Sequence, residues 1–292
     1  MEALYGTGVA LVTPFSKDGS VDYNGLSNLV EHVIKGGLEY LVVLGTTGET
    51  ATLTLAEQKQ VLNHVKQVND GRKPIVLGIG GNNTAAIIEA YQDFNLDGVS
   101  SILTASPYYN KPTQEGIYQH YKAIAKATKM PVILYNVPGR TSSNMTAETT
   151  VRLAKDCKNI IGIKEASGNM EQVMQILKNK PADFFVTSGE DALALPITLL
   201  GGVGVISVVA NAYPAKFSEM IRAAKAGNLV LANKNHYDVL DFTEMIFAEG
   251  NPGGVKAALK YLKVCKDYLR LPLWNVSKEL DAKLKKEVAK IG

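Results

Sequence analysis

Short apolar runs alternate with amphipathic stretches along most of the chain. The runs are Gly8-Val9-Ala10-Leu11-Val12, Tyr40-Leu41-Val42-Val43-Leu44, Ile75-Val76-Leu77-Gly78-Ile79, Gly98-Val99-Ser100-Ser101-Ile102-Leu103, Val132-Ile133-Leu134-Tyr135, Ile160-Ile161-Gly162-Ile163, Phe184-Phe185-Val186-Thr187 and Val203-Gly204-Val205-Ile206. Each has the length of a strand, about five residues. Each of the first seven is followed by a helical pattern, such as Leu26, Leu29, Val30, Val33 and Ile34 after the first. Residues 84–95 read as another helix, and Thr54-Leu55-Ala56-Glu57 matches a capping box that starts one at Thr54. The runs are continuously apolar rather than alternating, as expected of parallel strands covered on both faces. Strands separated by helices join as βαβ units. The pattern predicts an α/β fold, a (β/α)8 TIM barrel, which typically takes ~250 residues. An open doubly wound sheet is the alternative, but no glycine-rich dinucleotide fingerprint follows the first run.

The barrel pattern occupies residues 1–226. Residues 227–292 read as a C-terminal helical extension packed on the barrel, with helices over 229–247, 252–269 and 276–291. Composition adds limits rather than a new picture. Of the 292 residues, 46% are hydrophobic, enough for a large core. The 31 basic and 28 acidic side chains leave a formal charge of +3, which points to neither nucleic acid nor an anionic membrane as partner. Cys157 and Cys265 form no CxxC motif, so a reducing compartment fits better than a disulfide framework. The start, Met1-Glu2-Ala3-Leu4-Tyr5, lacks a basic segment followed by an apolar one, and no apolar run nears the ~20 residues that span a bilayer. The expectation is a soluble, cytoplasmic protein.

In a (β/α)8 barrel the reacting groups sit at the C-terminal ends of the strands. Those ends offer Gly45-Thr46-Thr47-Gly48-Glu49, Ser106-Pro107-Tyr108-Tyr109-Asn110, Tyr135-Asn136-Val137-Pro138-Gly139-Arg140, Lys164-Glu165, Ser188-Gly189-Glu190-Asp191 and Ile206-Ser207. Lys164 follows directly on an apolar run. Desolvation there lowers the pKa of an amine and frees its neutral form to attack a carbonyl, which makes Lys164 a candidate Schiff-base lysine. Its plainer reading is a strand-end lysine paired with Glu165 or reaching to solvent. Tyr135 fits a proton relay or a core tyrosine with a satisfied hydroxyl. Arg140 fits a carboxylate clamp or a surface ion pair. Gly45-Thr46-Thr47-Gly48-Glu49 lacks the lysine of a phosphate loop and carries an acid. It fits a site for one carboxylate, or a plain turn with a helix cap. Adjacent Glu190 and Asp191 are expected to cap a helix rather than hydrolyse a glycoside. His32, His64, His120 and His236 are scattered and show no ligand spacing, and there is no GxSxG elbow, so neither a metal nor a cofactor is expected.

The same segments, together with the opening Gly8 to Phe15, Ser106-Pro107-Tyr108-Tyr109-Asn110-Lys111-Pro112, Gly162-Ile163-Lys164-Glu165-Ala166-Ser167-Gly168 and Gly204-Val205-Ile206-Ser207-Val208, resemble the dihydrodipicolinate synthase family along essentially the whole chain. Parts of the set are shared with N-acetylneuraminate lyases and keto-sugar-acid aldolases, the alternative reading. Arg140 is the discriminator, since the synthases have an arginine there and the sialic acid lyases do not. The resemblance implies a lyase of lysine and diaminopimelate biosynthesis that condenses pyruvate with L-aspartate 4-semialdehyde through an imine on Lys164. It implies that Thr47 and the Ile206 backbone hold the pyruvate part, that Gly189 belongs to the substrate-binding set, and that Arg140 takes the carboxylate of the aldehyde. It implies a hydroxyl relay of Tyr135, Thr46 and Tyr109, with Tyr109 reaching a neighbouring subunit of a homotetramer built from two tight dimers. Many bacterial members are inhibited by lysine at the dimer interface. Thr50, Ala51, Asn82 and Tyr108 look compatible with that pocket. Leu55 and Gln58 stand where lysine-sensitive relatives often place histidines, and Ala86 where they place a glutamate, so lysine is expected to bind weakly or not at all.

Overall fold

The computed structural model describes residues 2–292. Among them, eight parallel strands close into a barrel in sequence order. They are β1 (Gly6–Ala10), β2 (Tyr40–Val43), β3 (Ile75–Gly78), β4 (Val99–Ala105), β5 (Val132–Asn136), β6 (Ile160–Glu165), β7 (Phe185–Ser188) and β8 (Gly204–Ser207). The ring is shut where Gly6 to Val9 pair with Gly204 to Ser207. Helices on the outside include Tyr23–Lys35, Leu55–Asn69, Gln114–Ala127, Ala147–Asp156 and Pro214–Lys225. The expected (β/α)8 barrel is therefore the observed fold. The capping box is present too: the Thr54 hydroxyl accepts from the Glu57 N–H at 3.2 Å, and the Glu57 carboxylate accepts from the Thr54 N–H at 2.9 Å.

Continuously apolar strands serve two layers at once. Ala10, Tyr40, Val42, Val76, Leu103, Ile133, Phe185 and Ile206 fill the barrel interior. Their neighbours Val9, Leu41, Val43, Leu77 and Val205 face the helices. Close packing of the interior depends on Gly162, where a Cβ would stand 2.5 Å from the Phe185 ring.

Several element ends differ from the hydrophobic pattern, because backbone pairing rather than apolarity sets them. β6 continues past Ile163: Lys164 pairs with Tyr135 of β5 and Thr187 of β7, and Glu165 with Asn136 and Ser188. β1 begins two residues before the run expected at Gly8, where Gly6 and Thr7 meet β8. The helix expected over 84–95 ends at Asp93. In the C-terminal part, the single helix expected over 229–247 is two, Leu229–Asp238 and Leu240–Phe247, separated at Val239 (φ −116°, ψ 3°). The helix expected over 252–269 is shorter, Gly253–Tyr261, and the last is Lys278–Ile291. Residues 262–277 stay irregular because their backbone groups are used elsewhere. The Tyr268 carbonyl accepts from Lys256 at 2.9 Å and the Arg270 N–H donates to Glu49 at 3.1 Å. Phe242, Ile246, Val255, Leu259 and Leu284 share one apolar core with Leu29, Val33 and Phe217 of the barrel helices. Among the described residues, no helix is long and apolar enough to cross a membrane.

Candidate active site

The strand register delivers the central pair. Tyr135, Lys164 and Thr187 are neighbours across β5, β6 and β7, and alternation along each strand turns all three inward. Lys164 is only 5% exposed, and its Nζ lies 4.2 Å from the centroid of the Tyr135 ring. Among the described residues it makes no ion pair. The reading of Lys164 as a partner of Glu165 fails on geometry. Glu165 turns to the outer face, where its carboxylate accepts from the Ser167 N–H at 2.7 Å, Asn136 Nδ2 at 3.1 Å and Gln172 Nε2 at 3.2 Å. Burial raises the pKa of that carboxyl, against the opposing pull of those donors. Most of the lysine side chain is covered, and among the described residues its amine stands in the mouth of the barrel without a hydrogen-bond partner.

Gly189 forms the wall beside it. A Cβ there would come within 2.6 Å of the Ala166 Cβ and 3.0 Å of Lys164 Cε, so only glycine leaves the lysine its place. Gly189 is fixed by donating its N–H to the Glu165 carbonyl at 2.7 Å. Ile206 is wholly buried in β8, opposite Gly8.

The turn after β2 carries Thr46, which is exposed, and Thr47, which is buried. It is held from the C-terminal part of the chain. Asn251 Nδ2 donates to Thr47 Oγ1 at 2.9 Å, and Glu49 forms a fully buried ion pair with Lys256. The Thr13 hydroxyl adds a bond to the Gly48 carbonyl at 2.7 Å. Burial lowers the pKa of Lys256, while Glu49 opposes that shift. The acid in this turn is thus neither exposed to a ligand nor a helix cap.

Arg140 lies on the short helix Pro138–Thr141 that follows β5. The other four arginines each pair with a carboxylate. Arg140 does not among the described residues, which leaves its fork open for an acidic ligand and weighs against a surface ion pair. Glu190 sits within reach of its field. Burial and the adjacent Asp191 raise the Glu190 pKa, and Lys164 and Arg140 oppose this. Asp191 departs from the expected cap of its own helix. Its carboxylate accepts from Ser207 Oγ and from the Val208 N–H at 3.0 Å, so it fixes the turn after β8 instead.

Tyr109 stands apart. It is 89% exposed, and its φ of 68° is left-handed. Of the six non-glycine residues with positive φ among the described residues, four lie in loops at the C-terminal mouth: Leu44, Glu49, Tyr109 and Ser142. Backbone strain concentrates at functional sites, so this distribution supports the mouth as the reacting end. Nearby, Asn82 Nδ2 donates to the Tyr108 carbonyl at 3.3 Å, and Gln58 Nε2 donates to the Thr50 carbonyl at 3.3 Å. Ala51, Leu55 and Ala86 are exposed around them. Among the described residues, no three His, Cys, Asp or Glu side chains gather in a way that could hold a metal ion.

The model of the dihydrodipicolinate synthetase family matches residues 3–291. The chain belongs to the dihydrodipicolinate synthetase family. A 4-hydroxy-tetrahydrodipicolinate synthase of Flavobacterium psychrophilum is 52% identical over 284 residues, which are 97% of each protein. Among solved structures, the chloride-inhibited dihydrodipicolinate synthase of Acinetobacter baumannii complexed with pyruvate superposes with a TM-score of 0.96 at 40% identity, covering 99% of both chains. A dihydrodipicolinate synthase of Cyanidioschyzon merolae with lysine bound gives 0.95 at 39%, covering 99% of both. As a dihydrodipicolinate synthetase family member the chain is an enzyme, a lyase. Two features of its site were not legible in the sequence, the Asn251–Thr47 bond and the Glu49–Lys256 pair. A signal existed for the second, since Lys256 interrupts the apolar stretch Gly254-Val255-Lys256-Ala257-Ala258-Leu259.

Proposed function

We propose that Lys164 is the catalytic amine of this enzyme and that Tyr135 works beside it as the proton relay. The reaction is that of a 4-hydroxy-tetrahydrodipicolinate synthase, as in the full-length relatives at about half identity. The observation that carries the residue assignment is the unpaired amine of Lys164, buried against Tyr135 and Gly189. An amine held there, beside the Tyr135 ring and free of protein partners among the described residues, is placed to attack a carbonyl that enters the mouth. The amine adds to the C2 carbonyl of pyruvate and water leaves, giving an imine. Loss of a C3 proton converts it to an enamine, and C3 attacks the aldehyde carbon of L-aspartate 4-semialdehyde. The amino group of that substrate then closes on C2, the bond to Lys164 breaks, and the heterocycle and free lysine separate.

The surrounding groups divide the remaining work. Thr47, Gly189 and the Ile206 backbone hold the pyruvate part. Arg140, open and unpaired, takes the carboxylate of the aldehyde, which favours an acidic aldehyde over a neutral sugar. Thr46 and Tyr109 complete the relay with Tyr135, and Tyr109 does so in the site of a second copy of the chain within a tetramer of two tight dimers. Cys157 and Cys265 are free and buried, in keeping with the reducing cytoplasm where we place the enzyme.

Borohydride reduction in the presence of pyruvate, followed by peptide mass mapping, tests the central assignment. The expected adduct is on Lys164 and is lost in Lys164→Ala; an adduct on another lysine sinks it. The pocket around Thr50, Ala51, Asn82 and Tyr108 has Leu55 and Gln58 in place of histidines, and Ala86 in place of the carboxylate that would receive the ammonium of lysine. Calorimetry is expected to find weak or no lysine binding, and tight binding would refute this reading of the pocket.

A further inference from the structure

The turn that presents Thr47 is tied to the C-terminal part of the chain at two points, more than two hundred residues away in sequence. Asn251 bonds the Thr47 hydroxyl, and Lys256 bonds Glu49 two residues later. The second tie is a fully buried ion pair, and the Arg270 N–H fills another position on the same carboxylate. Glu49 itself sits in the left-handed region at φ 54°. A bulky acid held there by buried partners fixes the turn, so the position of Thr47 relative to Asn251 is set by the fold rather than by the substrate.

A threonine hydroxyl has one proton and two acceptor positions. The Asn251 amide donates to Thr47 Oγ1 at 2.9 Å, which uses an acceptor position and leaves the proton uncommitted. Both residues are buried, and among the described residues no other side chain or carbonyl bonds that hydroxyl. The other end of the Asn251 amide, Oδ1, is buried without a partner among the described residues. A buried hydroxyl proton with no acceptor is costly, and an incoming carboxylate removes the cost.

We infer that Asn251 is a positioning residue for the first substrate: by donating to Thr47 it turns the threonine's proton toward the carboxylate of pyruvate. The inference rests on the reading of Thr47 as a pyruvate ligand. It gives the C-terminal extension a part in substrate binding besides packing. Asn251 acts only through Thr47, so its contribution vanishes when the hydroxyl is gone.

A double-mutant cycle separates these ideas. In the full-length enzyme, Asn251→Ala is expected to raise the KM for pyruvate roughly tenfold, the effect of one net hydrogen bond, with the KM for the aldehyde unchanged. In a Thr47→Val background the same substitution is expected to leave the pyruvate KM where Thr47→Val alone puts it. Equal losses in both backgrounds would overturn the inference, as would an effect on the aldehyde KM instead. If Thr47→Val alone does not move the pyruvate KM, the assignment of Thr47 fails and the inference falls with it. Asn251→Ser runs through the same cycle should Asn251→Ala fail to fold, with circular dichroism melting to establish folding.

Discussion

Every other arginine of the chain finds a carboxylate, and Arg140 is informative because it does not. Exposed on a short helix at the mouth of the barrel, it is the one arginine without a carboxylate among the described residues. Lys164 is unpaired in the same sense but is buried, so the two cations divide by exposure: one enclosed beside Tyr135, the other presenting its planar fork to an incoming anion. Arg140→Ala is expected to raise the KM for the aldehyde by roughly 10- to 100-fold, in line with the ~1.5–3 kcal/mol of a hydrogen bond to a charged group. The pyruvate adduct on Lys164 should still form at unchanged pyruvate concentration. Steady-state kinetics with both substrates varied, beside borohydride trapping, provides the check. A loss of trapping would mean that Arg140 serves the first half-reaction and that its assignment is wrong.

At the scale of elements, the pairing of the turn after β2 with the helix Gly253–Tyr261 is the least local feature of the site. Removing one partner of a buried ion pair strands the other charge, so Lys256→Met is expected to destabilise the protein by about 3–5 kcal/mol. Glu49→Gln together with Lys256→Met should recover much of that, because the stranded charge is gone. Denaturant titration of the three proteins at constant slope measures both numbers. A double variant no more stable than the single would mean that the pair contributes by packing and not by charge. Such contacts also mark what was legible in the sequence. The strands could be read because Val, Ile and Leu runs follow from burial on both faces, a local constraint. Lys164, Tyr135 and Arg140 could be singled out because the barrel rule places strand ends together. Asn251 and Lys256 could not be matched to Thr47 and Glu49, since nothing local encodes a partner two hundred residues away. The apolar run stops at Ile163 while β6 continues through Lys164 and Glu165 for the opposite reason: polar residues at the mouth break the apolar pattern while the backbone ladder runs on.

At the scale of the whole molecule, the proposed relay turns on where Tyr109 sits. Tyr109 is bulky, held at φ 68° and 89% exposed, and the neighbouring Tyr108 is 44% exposed. Two adjacent exposed aromatics on a strained turn are what an isologous interface covers, and the strain persists only where the surroundings repay it. If Tyr109 completes the site of a second copy, two inactive variants should rescue each other. Tyr109→Phe lacks the relay hydroxyl, and its turnover should fall by roughly 10²–10⁴, the contribution of a positioned proton-transfer group. Lys164→Ala lacks the amine and should be inactive. In a dimer containing one of each, the site with an intact Lys164 receives its tyrosine from the Lys164→Ala partner, so that site is whole. With random 1:1 assembly across a twofold interface, about a quarter of wild-type activity should return on co-refolding the two variants. No recovery, with mixed dimers demonstrated by native mass spectrometry, would place Tyr109 in its own chain's site or outside the reaction, and the dimer would then lose its proposed part in catalysis.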